Sequence, residues 1–241
     1  MTRIKVPYAS IFTDPDISSM ARQFLAGDEV RLGTSVKDLI AVTRVRDGYS
    51  GWVEQIAVGD GAAPTHKVTT LQTIAFETPN IKDVSRLFLP FGAGLTGVEE
   101  DGFFRSEFGY VPNGHVAPVE TFFDDAAFVA QMFLHAPYLW GGDTSAGLDC
   151  SGLTHAAYRA IGVDIPSDSG PQFEAALPIV SPERGDLAFW DGHVALFLDA
   201  HTLIHANAHH MKVTVEPFEN VRARIHNAGY ALRGLGRYVS R

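Results

Sequence analysis

The sequence predicts an α+β protein whose first half consists of short strands and whose second half places helices before an antiparallel sheet. Residues 1–120 contain short apolar runs separated by turn residues, and helical periodicity is scarce there. From Phe122 onward an apolar stripe of helical spacing appears, and strand-like runs separated by tight turns follow. Helices followed by consecutive antiparallel strands are typical of the α+β class.

The composition is that of a folded chain with an acidic balance. Of its 241 residues 46% are hydrophobic and 20% charged, which is enough to bury a core. Nineteen Lys and Arg stand against 28 Asp and Glu, so the net charge is −9, and no basic run offers phosphates a track. We therefore expect no nucleic-acid partner.

The first 20 residues lack the pattern of a signal peptide, and no apolar run is long enough to cross a bilayer. We therefore expect no membrane partner and a cytoplasmic location. A periplasmic or extracellular location is the expectation if a leader has been trimmed from the chain. The single cysteine also fits a reducing compartment, because it excludes an internal disulfide.

Two similar segments indicate a repeat in the first half. Residues 47–53 and 101–112 each contain a charged turn that leads to a Gly-aromatic-Val strand, and Gly51 and Gly109 lie 58 positions apart. This spacing predicts two small all-β domains, residues 1–62 and 63–120. One larger β-sandwich is the alternative.

The second half, residues 121–241, begins with two predicted helices. The first covers residues 124–134, where acidic residues precede an apolar stripe. A Gly-rich loop follows. The second covers residues 151–161, with Cys150 at its start and Gly162 at its end.

Strand-like runs dominate the rest of the chain, after a short helical stretch near Gln172. Three of them are separated by turn residues and predict an antiparallel meander: residues 187–190, 194–198 and 202–204. Two further strands are predicted at residues 213–215 and 235–239.

Cys150 is the candidate nucleophile. A thiol attacks a carbonyl as the thiolate, and an ordinary cysteine with a pKa of about 8.5 is mostly protonated at neutral pH. The first turn of a helix lowers a thiol pKa, because its N–H groups and macrodipole favour negative charge. The alternative is a buried cysteine that only fills space.

His193 is the candidate base, since it opens a strand directly after the tight Asp191-Gly192 turn. His205 ends the next predicted strand, so the two imidazoles are expected to be neighbours on an antiparallel pair. One could then orient the other, and the order Cys, His, polar residue is that of papain-like enzymes.

Five short motifs carry a family resemblance. They are Tyr138-x-Trp140-Gly141-Gly142, Asp149-Cys150-Ser151-Gly152-Leu153, Gly185-Asp186-Leu187, His193-Val194 and Ile204-His205-Ala206. In this order and spacing they resemble the NlpC/P60 family over about residues 122–240. The two all-β domains resemble bacterial SH3-like (SH3b) barrels.

The resemblance implies a papain-like domain and a cysteine endopeptidase that hydrolyses the γ-D-Glu–diamino acid bond of peptidoglycan-derived peptides. In this family pattern Cys150 is the nucleophile, His193 the base and His205 the residue that orients it. Tyr138 is implied to donate to the oxyanion beside the Cys150 N–H. Asp149 and Ser151 are implied to line the substrate groove, and no cofactor is implied.

Two further positions match family members that carry SH3b domains. Asp168 and Tyr49 are implied to close one end of the groove and to bind the free amine of an N-terminal L-Ala. A carboxylate beside an ammonium forms a strong hydrogen bond. The preferred substrate would then be a free L-Ala-γ-D-Glu-diamino acid peptide, which fits cell-wall recycling.

Other functions stay open at this point. The fold also suits an N-acetylmuramoyl-L-alanine amidase, and a non-catalytic SH3b wall-binding protein is the alternative outside the enzymes. A further histidine group comprises His201, His205, His209 and His210. No spaced carboxylate or cysteine completes a metal set there, so we expect surface loop and no metal ion.

Overall fold

The computed structural model describes residues 1–239, and of residues 85 and 86 the backbone alone. The chain divides into two compact units, Met1–Thr121 and Phe122–Arg241. None of the helices within residues 1–239 combines the length and the apolarity that a bilayer crossing requires.

The first unit is built from strands and two short 3-10 turns, Gln55–Ala57 and Asn113–His115. Its earlier strands are β1 Thr2–Ile4, β2 Tyr8–Phe12, β3 Met20–Leu25, β4 Val30–Val36, β5 Leu39–Arg44, β6 Ser50–Glu54 and β7 Val58–Asp60. Its later strands are β8 His66–Val68, β9 Gln72–Phe76, β10 Ser85–Pro90, β11 Gly94–Leu95, β12 Gly97–Glu100, β13 Phe103–Ser106, β14 Gly109–Pro112 and β15 Val116–Pro118.

The strand order of the first unit occurs twice. One five-stranded sheet has the order β3-β2-β6-β5-β4, and the other has the corresponding order β10-β9-β14-β13-β12. A short outer sheet accompanies each of them, β1-β7 in the first copy and β11-β8-β15 in the second. The two-copy repeat predicted from the sequence is therefore confirmed in the topology.

The closed barrels predicted for these copies are not shown. Within the described residues, the edge strands of neither five-stranded sheet pair with each other. Each copy buries its own apolar cluster, which contains Phe24 in the first and Phe104 in the second. The SH3b identity of the copies and the domain boundaries at residues 62 and 120 stay predictions.

The repeated glycine has the same packing reason in both copies. A Cβ atom on Gly51 would lie 2.8 Å from the carbonyl oxygen of Phe12, on the neighbouring strand. A Cβ atom on Gly109 would collide with the carbonyl oxygen of Phe76, again on the neighbouring strand. The Gly-aromatic-Val motif therefore marks a close approach of two strands.

The second unit consists of four helices and an antiparallel sheet within its described residues. The helices are α1 Ala126–Met132, α2 Cys150–Ala160, α3 Ser169–Ala175 and α4 Phe218–Asn227. The strands are β16 Asp143–Thr144, β17 Gly147–Leu148, β18 Leu177–Ile179, β19 Leu187–Trp190, β20 His193–Phe197, β21 Thr202–Asn207, β22 Lys212–Pro217 and β23 Leu232–Arg237. The main sheet has the order β18-β23-β19-β20-β21-β22, which confirms the predicted α+β arrangement.

Helix α2 is the central helix of this unit. It packs against α1 and β20, and Leu153 and Ala157 are fully buried. It ends before Gly162, whose positive φ of 79° is the usual way for a helix to stop. Gln172 of α3 is also fully buried, and its amide bonds to Thr154 Oγ1 and to the Pro166 carbonyl. The bond to Thr154 connects α3 to α2.

The strands β16, β17 and β18 were not predicted, and one helix and the last strand also differ from the expectation. Helix α4 was not predicted, although Phe218, Val221 and Ile225 follow helical spacing and pack on the core of the sheet. The last strand is Leu232–Arg237 rather than residues 235–239. It lies between β18 and β19, so pairing on both sides determines its ends.

Candidate active site

Cys150 is the first residue of α2, as predicted, and it is buried. Its Sγ atom lies 3.9 Å from the carbonyl oxygen of Gly192. Gly192 directly precedes His193, so the helix start meets the beginning of β20. The first N–H groups of a helix lack intrahelical partners and favour a negative charge there.

Asp149 is the N-cap of α2. Its Oδ1 atom accepts hydrogen bonds from the Gly152 N–H at 2.7 Å and from the Ser151 hydroxyl at 3.1 Å. Its Oδ2 atom accepts a bond from the Gly141 N–H at 3.0 Å. Both Asp149 and Ser151 are buried, so these contacts give them a structural part. Their predicted contact with substrate stays a prediction.

Gly152 makes room for the neighbouring backbone. A Cβ atom at this position would collide with the carbonyl oxygen of Gly142 and lie 3.1 Å from Asp143 Oδ1. The Gly-rich loop therefore packs directly on the first turn of α2. This contact fixes the loop that begins at Tyr138.

Tyr138 lies at the edge of this cluster. Its backbone pairs with Leu148 in a parallel bridge, and its N–H donates to the Met211 carbonyl. Burial raises the pKa of Tyr138, and together with the nearby Cys150 and Asp149 it brings the value to about 12. The phenol is therefore protonated at neutral pH and can donate a hydrogen bond.

His193 and His205 are neighbours, as predicted. His193 Nε2 and His205 Nδ1 lie 2.8 Å apart. Leu196 of β20 pairs with Ile204 of β21, and in this register the two histidines are diagonal neighbours on one face of the sheet.

The environment of His193 disfavours its charged form. Burial lowers the pKa of His193 to about 3, and His205 and Arg224 lower it as well, while Glu216 opposes them. The Trp190 ring, with its centroid 5.7 Å from that of the imidazole, contributes to this burial. Burial likewise lowers the pKa of His205. Both imidazoles are therefore neutral at pH 7.

Two residues that the sequence reasoning missed complete this side of the site. Glu216 of β22 lies with Oε2 2.9 Å from His205 Nε2. The Arg224 guanidinium of α4 donates to both oxygens of Glu216, at 2.7 and 2.8 Å. His205 pairs with Thr214, so Glu216 two residues later shares its face of the sheet. That alternation was the signal available in the sequence.

The other two predicted substrate residues are Asp168, in the second unit, and Tyr49, in the first. Asp168 is half-buried and immediately precedes α3, where its side chain forms no capping bond. Tyr49 belongs to the first unit, and its ring packs edge-on against Phe24. Their contact with substrate stays a prediction.

The remaining histidines form no recognisable metal set. His201 is exposed in a turn, and His210 Nε2 lies 3.3 Å from Glu216 Oε2. No cluster of three His, Cys, Asp or Glu side chains in residues 1–239 has the arrangement that would hold a metal ion. His205 is fully buried in the sheet, so the predicted surface loop does not include it.

Part of the second unit is similar to a known protein family. Residues 135–228 match the model of the NlpC/P60 family. A gamma-D-glutamyl-L-lysine dipeptidyl-peptidase of Bacillus cereus is 29% identical, and the match covers 83% of this chain and 71% of that protein. The dipeptidyl-peptidase 6 of Lysinibacillus sphaericus is 25% identical, with coverage of 88% and 89%.

A solved structure shares the fold. The crystal structure of an NlpC/P60 family protein from Bacillus cereus ATCC 10987 superimposes with a TM-score of 0.84 at 24% identity, and the match covers all of both chains. The family match covers residues 135–228, and the relatives indicate that the chain is a cysteine peptidase.

Proposed function

We propose that the enzyme hydrolyses the γ-D-Glu–diamino acid bond of peptidoglycan-derived peptides, with Cys150 as its nucleophile. The carrying observation is that the only cysteine of the chain starts α2 with its sulfur 3.9 Å from the carbonyl that precedes His193. A cysteine peptidase needs a thiol beside an imidazole, and this chain offers no other. The names of the relatives from Bacillus cereus and Lysinibacillus sphaericus support a dipeptidyl-peptidase.

The reaction follows the logic of acyl transfer. His193 accepts the proton of the Cys150 thiol, and Sγ attacks the carbonyl carbon of the γ-amide to give a tetrahedral oxyanion. Collapse breaks the C–N bond, and His193 gives the proton to the leaving amine. Water then hydrolyses the thioester by the reverse proton path.

The oxyanion is stabilised by two donors on the helix side. The Cys150 N–H belongs to the first turn of α2, whose N–H groups lack intrahelical partners. The Tyr138 hydroxyl stays protonated, with a pKa raised to about 12, and supplies the second donor. Donors that are fixed before charge develops lower the barrier to acyl transfer.

Substrate selection depends on the predicted groove residues. Asp149 and Ser151 line the groove, and Asp168 binds the free amine of an N-terminal L-Ala. Such peptides are breakdown products and not intact wall, so the role is recycling of wall fragments, in the cytoplasm. An amidase would instead act on an acylated L-Ala nitrogen, which a carboxylate cannot hold as an ammonium.

The test is mass spectrometry of products from L-Ala-γ-D-Glu-L-Lys and L-Ala-γ-D-Glu-meso-diaminopimelate. We expect L-Ala-D-Glu and the free diamino acid, and no product with Cys150→Ala. The N-acetylated peptides should react about 10- to 100-fold more slowly, because they lose a charge-assisted hydrogen bond. Asp168→Asn should lose that preference, and Asp164→Asn, an exposed aspartate near α3, should keep it. Equal cleavage of free and acetylated peptide would overturn the amine site.

A further inference from the structure

We propose that Glu216, held by Arg224, is a positioning residue that fixes the proton positions of both imidazoles and leaves Nδ1 as the proton-accepting atom of His193. The inference rests on the proposed roles of Cys150 and His193. It concerns a row of four side chains, which we call the relay: His193, His205, Glu216 and Arg224.

The relay begins at a group that can only accept. An ionised Glu216 has no proton to donate, so the 2.9 Å contact with His205 places a proton on His205 Nε2. A neutral imidazole carries one ring proton, so His205 Nδ1 is an acceptor. It lies 2.8 Å from His193 Nε2, which must therefore carry the proton of that ring. The Nδ1 atom of neutral His193 is then left bare.

Arg224 keeps Glu216 ionised and thereby keeps the hydrogen bonds of the relay in one direction. Its guanidinium donates to both oxygens of Glu216, the bidentate geometry that suits a carboxylate. His205, Arg224 and His210 all face Glu216, and the hydrogen bonds from the first two hold its pKa well below its usual range. A protonated Glu216 could donate to His205 and would then exchange the protonated and bare nitrogens of both imidazoles. The guanidinium prevents this by keeping Glu216 ionised.

The fold fixes these positions from three strands and one helix. The pairing of His205 with Thr214 puts Glu216 on the same face of the sheet. Arg224 lies in the last turn of α4, where a cation is favoured by the helix dipole. All four side chains are buried or half-buried, so their contacts persist with little competition from water.

The relay also serves the reaction after the proton has moved. When His193 becomes an imidazolium, its Nε2 proton still bonds to His205, and the Glu216 charge balances the cation across one imidazole. Removal of Glu216 therefore destabilises the transition state more than it weakens substrate binding. The expected signature is a loss of kcat at nearly constant KM.

The kinetic test compares Glu216→Gln with Glu219→Gln, an exposed glutamate three residues away. We expect Glu216→Gln to lower kcat about 10- to 100-fold. Loss of a residue that orients a metal-bound imidazole has an effect of this size. KM should stay within about twofold, and Glu219→Gln should match the wild type. Equal kcat for both variants would overturn the proposal.

A pH profile separates positioning from mere support of the fold. Glu216 raises the pKa of His193 and Arg224 lowers it. The acid limb of kcat/KM should therefore move to lower pH in Glu216→Gln and to higher pH in Arg224→Gln. Shifts in the same direction would overturn the proposal, and Arg224→Gln remains informative if Glu216→Gln fails to fold.

Nitrogen-15 NMR of the histidine rings tests the proton positions without turnover. The wild type should show protonated Nε2 and bare Nδ1 on both His193 and His205 at pH 7. A proton on His205 Nδ1 would overturn the relay. If the wild type does not cleave the tripeptides, the proposed substrate fails, but these spectra still decide the proton positions.

Discussion

The two halves of the candidate site are assembled in different ways. The helix half comprises Tyr138, Asp149, Cys150 and Gly152, and the sheet half comprises His193, His205, Glu216 and Arg224. In the helix half, one capping carboxylate binds the backbone N–H of Gly152 in the first turn of α2, and the residues are close in sequence. In the sheet half, side chains from three strands and a helix form a row. A local motif builds the first half, and only tertiary packing builds the second.

Loss of the imidazole should have the largest effect. We expect His193→Ala to lower kcat at least about 10³-fold, because the thiol then has no base and the leaving amine no acid. His201→Ala, an exposed turn histidine, should stay within about twofold. Steady-state kinetics with the tripeptide measures both. Retained activity in His193→Ala would mean that another residue acts as the base.

Loss of the phenol tests the helix half. Tyr138→Phe should lower kcat about 10²-fold with KM nearly unchanged, since one donor to the oxyanion is lost. Tyr8→Phe, a half-exposed tyrosine of the first unit, is the matched control. An unchanged kcat in Tyr138→Phe would leave the oxyanion to backbone donors alone.

The buried imidazoles make stability depend on pH. The folded pKa of His193 is about 3, against an ordinary value of 6.5, so the unfolded chain binds the proton first as the pH falls. Stability is then fully present above pH 6.5 and is lost toward pH 3, by at most about 1.4 kcal/mol per pH unit for this group.

Denaturant unfolding at pH 7.5, 6 and 5 measures this dependence. The slope of the free energy of unfolding against pH should be smaller in His193→Ala than in the wild type. Equal slopes would mean that His193 does not contribute to the acid sensitivity.

The smallest expected effect concerns the helix cap. Asp149→Ala should reduce the free energy of unfolding by about 1 kcal/mol, because the Gly152 N–H loses its acceptor. Asp149→Asn keeps an acceptor and should lose less. Thermal unfolding compares the two variants with the wild type. Equal melting temperatures for Asp149→Ala and the wild type would mean that the Asp149 cap does not stabilise the fold.

The features that could be predicted from the sequence depend on local signals. The predicted helix at residues 151–161 is confirmed, since α2 covers Cys150–Ala160 with Asp149 as its cap. The proximity of His193 and His205 followed from a hairpin with a short turn, where strand alternation decides which side chains meet.

The missed features depend on contacts that are distant in sequence. The predicted strand at residues 213–215 stopped one residue short of Glu216, whose partners lie on another strand and on α4. Helix α4 has only a narrow apolar stripe between charged residues, and it is stabilised by packing on the sheet. The roles of Asp168 and Tyr49 depend on the position of the substrate, which neither sequence pattern nor local structure determines.

The carboxylate of Asp149 holds two amides that lie eleven residues apart, one in the Gly-rich loop and one in the first turn of α2. Neither amide can be released to solvent while that side chain stays in place. Deuterium uptake at Gly141 and at Gly152 should therefore proceed at a common rate, as one opening event. A common rate would mean that Cys150 belongs to one cooperative unit, which opens together with the Gly-rich loop.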